Sequence, residues 1–351
     1  MGMISFFKHY LILLDLSKFK MKFLLLPFVY GIYGIFISIT LLLDKIFYPN
    51  SSYQKLSKPI FLLGHPRSGT TFLHRYILKN CDELKGNNLW ELIFPSITSR
   101  KIVRKLIPKI NLRFLSKNLY KSHIHEASLL EAETDDAAIF LRYFNGLLPW
   151  LYLKIWKIDN QNLVEDLKIN IIKDKYWKFL DSFYKKQTLV HNKRVMVKSF
   201  SYIVNLEKLL SKYPDAKIII LLRSPEQCVP SSMSLLKNMM SEIIDFSSID
   251  ENLKFNFYKK ILSVSKYYYT EIDKIKKNYK TSDHVLFVDY SLLINDFKYQ
   301  MIKIFEFLEI NTTETIIKTL EEQSEKQKKF KSSHNYSLEE FGFTKDIFND
   351  F

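Results

Sequence analysis

Hydrophobic and polar positions divide the chain into an uncharged run near the N-terminus and, behind it, short apolar runs alternating with segments of helical period. From Phe23 to Leu43, 21 residues pass without a charge (FLLLPFVYGIYGIFISITLLL). As a helix this run would extend about 31 Å, the hydrocarbon thickness of a bilayer. Pro27 and the Gly31/Gly34 pair also allow a break into a turn and a stretch suited to lying in one leaflet. Residues 1–58 are therefore expected to form a membrane-associating arm with a short tether. Beyond it, IFLLG (60–64), RVMVKS (194–199), KIIILL (217–222) and HVLFVD (284–289) read as buried strands bounded by turn residues or helical segments. Long charged helices are expected over 252–280 and 295–325. Such alternation, with a glycine-spaced loop from Gly64 to Thr71 between the first strand and a helix, predicts one α/β domain over 59–351, a three-layer P-loop-type fold around a central parallel sheet of about five strands.

Composition narrows the chemistry. With 47% apolar and 25% charged residues the chain is globular, and its two cysteines, Cys81 and Cys228, supply neither a disulfide framework nor a Cys-based metal site. A formal charge of +15 favours an anionic partner. Arg100, Lys101, Arg104, Lys105, Lys109, Arg113, Lys117 and Lys121 interleave with apolar residues at helical spacing, which suits an anionic membrane surface, an acidic substrate or a solvated face. No nucleic-acid-binding module accompanies the charge, so no nucleic-acid partner is expected.

The sharpest local signal follows the first buried strand. Gly64 to Thr71 fits most of G-x-x-x-x-G-K-[ST], with strand before and helix after, but Thr70 replaces the lysine. The missing lysine would reach the β- and γ-phosphates of a nucleoside triphosphate, so ATP hydrolysis is disfavoured. The backbone N–H groups of Arg67, Ser68, Gly69, Thr70 and Thr71, with their hydroxyls at a helix N-terminus, still suit a smaller anion, and Arg67 adds a cation. A second anion clamp is expected where Arg223 leaves the strand KIIILL, with Ser231 eight residues on.

GHPRSGTTFLHRYI, VMVKSFSYIVNLEKLLSKYPDAKIIILLRSPEQCVPS and HNYSLEEFGF together resemble the family of sulfotransferases that use 3′-phosphoadenylyl sulfate (PAPS). The resemblance covers roughly Lys58 to Phe343. It implies that Arg67, Ser68, Gly69, Thr70 and Thr71 grip the 5′-phosphosulfate and that Arg223 and Ser231 grip the 3′-phosphate. It implies further that Lys198 lies near the bridging oxygen, that Lys331 and His334 lie over the nucleotide, and that no metal takes part. Phe200 departs from the pattern, standing where phenol and steroid sulfotransferases carry a catalytic histidine. The carbohydrate-type and bacterial branch of the family uses a carboxylate instead. The acidic cluster Glu131, Glu133, Asp135 and Asp136 offers one, and crowding should raise these pKa values toward a working base. Glu133 is favoured, then Glu131, with His123 and His125 as runners-up.

The resulting expectation is sulfuryl transfer to a hydroxyl of a lipid or membrane-proximal glycan, by a membrane-associated enzyme whose catalytic domain faces the cytosol or, in a Golgi-type arrangement, the lumen. The alternatives are a nucleotide-dependent kinase and a non-catalytic nucleotide-binding membrane scaffold.

Overall fold

The computed structural model describes residues 2–106, 128–171, 173–329 and 337–351. Strands β1 (Ile60–Gly64), β2 (Leu84–Lys85), β3 (Arg194–Lys198), β4 (Lys217–Leu222) and β5 (Val285–Asp289) form one sheet in the order β2-β3-β1-β4-β5. Every pairing is parallel. The expected α/β fold with a five-stranded parallel sheet is thus the fold observed. The inner strands β1 and β4 read as continuous apolar runs because both faces are covered.

The helices run, in chain order, α1 (Gly2–Leu16), α2 (Leu26–Phe47), α3 (Thr70–Asn80), α4 (Leu89–Ile93), α5 (Ile97–Leu106), α6 (Asp136–Tyr143), α7 (Leu147–Tyr152), α8 (Leu163–Ile171), α9 (Asp174–His191), α10 (Leu206–Lys212), α11 (Pro225–Ile243), α12 (Glu251–Asn278), α13 (Tyr290–Asn295), α14 (Phe297–Leu308) and α15 (Glu314–Lys329). Alternation along β1 divides the core in two. Ile60 and Leu62 pack with Leu73 and Ile77 of α3 and with Phe297, Met301 and Ile304 of α14. Phe61 and Leu63 face the larger core, built with Tyr202, Val229, Met233 and Tyr268. The helix expected over 252–280 is α12, but the one expected over 295–325 is two helices. Glu309 takes the left-handed conformation (φ 59°) and ends α14. The polar, β-branched stretch Asn311-Thr312-Thr313 then separates it from α15.

The N-terminal helices pack on the same body. Phe6 is fully buried, stacked on Tyr30 with ring centroids 4.4 Å apart and edge-on to Phe144 at 4.9 Å. Ser5 Oγ donates to the Phe144 carbonyl and accepts from Asn145 Nδ2. Near the end of α2, the buried Asp44 carboxylate accepts from Ser96 Oγ (2.9 Å) and from the first N–H groups of α5, Ile97 (3.0 Å) and Thr98 (2.9 Å). It also pairs with Lys186 of α9 at 2.8 Å. Asp44 therefore caps α5 from a neighbouring helix, supplying a negative charge to orphan donors at the positive helix end.

Candidate active site

Register brings the site's parts to one sheet edge. Gly64 lies opposite Leu221 and Leu62 opposite Lys198, so β1, β3 and β4 all deliver their carboxyl ends to the same crevice. Arg67 (φ 72°) and Gly69 (φ 97°) are left-handed and turn the loop between β1 and α3. Gly69 must be glycine on two counts, since a Cβ there would also come within 2.7 Å of the Tyr290 ring. At Gly64 a Cβ would come within 2.6 Å of Ser68 Oγ and 2.9 Å of the Leu221 carbonyl. The Ser68 hydroxyl is fully buried and makes no hydrogen bond. A buried, unsatisfied hydroxyl in a glycine-floored loop at a helix N-terminus fits a bound anionic oxygen.

Arg223 follows β4 and is held from several sides. Its Nε donates to Gln227 Oε1 (2.9 Å), its Nη1 donates to the Arg67 carbonyl (2.9 Å), and its guanidinium lies 4.2 Å from the centre of the Tyr290 ring. The Tyr269 hydroxyl donates to the Arg223 carbonyl at 2.8 Å. Ser231, the seventh residue of α11, accepts from Arg67 Nε at 3.0 Å. The phosphate loop and the Arg223/Ser231 pair therefore adjoin one another. His65 packs behind them, stacked on Tyr269 and bonded to Ser265 Oγ at 3.0 Å. Burial lowers its pKa to about 4, which leaves the ring neutral and structural.

Lys198 ends β3, almost wholly buried, with Nζ 3.0 Å from Thr71 Oγ1 and 3.0 Å from Glu133 Oε1. Oε1 of Glu133 also accepts from its neighbour's backbone, Thr134 N, at 2.8 Å. Arg75 reaches toward both candidate carboxylates, its Nη2 3.9 Å from Glu133 Oε2 and its Nε 3.1 Å from Glu131 Oε2. The acidic cluster divides into distinct roles. Glu133 lines the crevice, whereas Glu131 is half-exposed and outside its lining. Asp136 ties down the strand end after Lys198, accepting from Phe200 N (2.8 Å), Ser199 Oγ (3.1 Å) and Ser201 Oγ. Asp135 is buried, with Asn87 Nδ2 donating to Oδ1 at 3.0 Å. The Asp135 carboxyl is held well above the usual carboxylate range. Burial drives it, against the Asn87 hydrogen bond, and the Asp136 charge adds less.

The crevice widens into a cleft of about 480 Å³. Its polar end is Arg67, Gly69, Thr70, Thr71, Glu133, Lys198 and Arg223, and its other walls are largely apolar: Leu89 and Ile93 of α4, Phe140 and Leu141 of α6, Leu148 and Tyr152 of α7, Phe200, and Leu235 and Met239 of α11. A narrower apolar branch runs from it past Leu151, Ile261 and Tyr268. Of the residues singled out from sequence, the five of the loop, Lys198, Glu133, Arg223 and Ser231 come together. Glu131 stands aside, and Lys331, His334, His123 and His125 lie outside the described residues. Sequence reasoning missed Tyr290, the apolar walls and the anchoring role of Asp136, which it had counted only as one of the acidic cluster. Their positions come from separate elements, and no local spacing marks them.

The model of the "Sulfotransferase family" matches residues 59–314. No curated protein matches the chain. Among solved structures it is similar to sulfotransferase STF1 from Mycobacterium tuberculosis H37Rv (TM-score 0.69, 17% identity, 99% of this chain and 91% of that one). It is also similar to sulfotransferase STF9 from Mycobacterium avium (TM-score 0.68, 16% identity, 88% of this chain and 79% of that one).

Proposed function

The chain belongs to the sulfotransferase family, and from that premise we propose that it transfers the sulfuryl group of PAPS to the hydroxyl of a lipid, with Glu133 as the base. The observation that carries this reading is the meeting of Lys198 Nζ, Thr71 Oγ1 and Glu133 Oε1 within hydrogen-bond distance at the head of an apolar cleft. The donor, when bound, supplies a sulfuryl group on a phosphate leaving group.

The loop residues Arg67 to Thr71 would hold the 5′ end, using backbone N–H groups, the unsatisfied Ser68 hydroxyl and the Thr70 and Thr71 hydroxyls. Arg223 would take the 3′-phosphate, its guanidinium fixed by Gln227, Arg67 and Tyr290, with the Ser231 hydroxyl donating its own proton. Lys198 stabilises charge developing on the leaving oxygen while holding Glu133 in place. Glu133 accepts the proton of the attacking alcohol as its oxygen bonds to sulfur and the sulfur–oxygen bond to phosphate breaks. In-line displacement of this kind depends chiefly on positioning and charge, which suits a buried, pre-assembled ion pair.

Of the two acceptor classes expected, the walls favour the lipid. A glycan presents hydroxyls on every side and would leave them unsatisfied against Leu89, Ile93, Phe140 and Leu141. Glu133→Gln should preserve affinity for 3′,5′-ADP and lower turnover of labelled donor by about 100-fold or more. Undiminished turnover would remove Glu133 from the role of base.

A further inference from the structure

The α2 helix carries its polar groups on the wrong side for an ordinary surface helix. Its inner side is bound to the domain along most of its length. Tyr30 donates to the Arg142 carbonyl, Tyr33 to the Ile93 carbonyl at 2.7 Å, Ser38 accepts from Arg142 Nη2, the Thr40 carbonyl accepts from Ser96 Oγ, and Asp44 caps α5. Its outer side exposes Phe28, Ile32, Ile35, Ile39, Leu42 and Ile46, each more than half accessible. That stripe recurs at three- and four-residue steps over about 27 Å.

A helix that crosses a bilayer separates the chain before it from the chain after it. Here α1 before and the sheet domain after are parts of one core, joined by Phe6, Tyr10 and Leu13. Bonds from Tyr30 to Asp44 then hold about 21 Å of α2 against that core. Crossing would require tearing this face away, carrying Asp44 to the membrane without its partners and leaving Lys186 unpaired in the domain.

Charge selects what covers the stripe. Exposed Lys18, Lys20 and Lys22 lie before it, and Lys45, with Lys101, Arg104 and Lys105 of the adjoining α5, lies about its other end. A groove of about 440 Å³ flanking α1 adds Lys8, Lys173 and Lys175. A second copy would set like charges against each other whichever way the stripes were paired, parallel or antiparallel. An anionic leaflet complements both features, accepting the stripe into its acyl boundary and the lysines among its phosphates.

We infer that α1 and α2 attach the protein to one leaflet of an anionic membrane, with α2 lying in the plane of the interface instead of spanning the bilayer. This attachment is independent of the transfer reaction and is tested without it. The full chain should float with vesicles containing about one third phosphatidylglycerol and bind those of phosphatidylcholine alone at least about tenfold less. The double variant Ile32→Glu/Ile39→Glu should lose at least about tenfold of the bound fraction with an unchanged thermal midpoint, since both side chains point away from the core. In membranes of expressing cells, Met21→Cys and Tyr53→Cys, two exposed positions flanking α2, should react with an impermeant maleimide from the same side, while the buried Cys81 and Cys228 stay silent. Protection of one position until detergent is added would establish a span and overturn the inference. A concentration-dependent dimer that ignores vesicles and is broken by the same double variant would overturn it in favour of a second copy.

Discussion

One ammonium, Lys198 Nζ, joins the phosphate loop to the acidic cluster, and its position follows from its place in β3, opposite Leu62 and just short of the level at which the loop begins. Arg223 is fixed at the same edge by β4, but its guanidinium owes its orientation to Gln227, Tyr290 and the Arg67 carbonyl. If it grips a 3′-phosphate, Arg223→Ala should weaken binding of 3′,5′-ADP by about 2–4 kcal/mol in calorimetry. Affinity for 5′-AMP should barely change. Equal losses for both nucleotides would mean that the residue supports the loop and not a second anion. The parts of the site legible in the sequence were those built from consecutive residues. PRSGTT makes its own turn, and Lys198 and Arg223 are each carried by a run that is visibly a strand. The sequence ranked Glu133 above Glu131, but what separates the two is the fold, which sets Glu133 against Lys198 in the crevice and leaves Glu131 half-exposed beside Arg75.

At the scale of elements, the short helix α4 supplies one cleft wall and is secured by Glu91. That carboxylate completes a capping box with Asn88, pairs with Lys85 at 2.6 Å and Arg100 at 3.3 Å, and lies 3.5 Å from the His191 ring. Burial alone would raise its pKa, but the His191 hydrogen bond and the charges of Lys85 and Arg100 outweigh burial and hold the carboxyl down to about 2. A depressed carboxylate contributes its stability above the unfolded value of about 4.3 and loses it as pH falls from there toward 2. Glu91→Gln should therefore cost about 3 kcal/mol in urea unfolding at neutral pH and flatten the loss of stability between about pH 4 and 2. Parallel curves for the two proteins would show that Glu91 is not the titrating group. Four of the strands were legible because each centres on an unbroken apolar run, whereas β2, only Leu84–Lys85, is too short to leave one. The break between α14 and α15 was not foreseen, since one left-handed residue, Glu309, can end a helix without glycine or proline to announce it. The partners of Asp44 were equally hidden: Ser96, Thr98 and Lys186 belong to elements about 50 to 140 residues away.

In the whole molecule, the uncharged N-terminal run and the catalytic cleft are neighbours. Tyr33 and Tyr30 of α2 bond to Ile93 and Arg142, beside the wall residues Ile93 and Leu141. If α2 lies in one leaflet as inferred, it would bring the apolar cleft to the membrane surface, where a lipid hydroxyl is available. Part of the +15 charge would then serve that surface, and part converges on the crevice as Arg67, Lys198 and Arg223. On the proposed reading this crevice holds a nucleotide by two separate phosphates, with Thr70 in place of the usual loop lysine and no metal. Titration calorimetry of the full chain with 3′,5′-ADP, 5′-AMP and Mg-ATP, each with and without chelator, tests it most directly. 3′,5′-ADP should bind at least about tenfold more tightly than either rival and be indifferent to chelator. Preference for Mg-ATP, abolished by chelator, would contradict it.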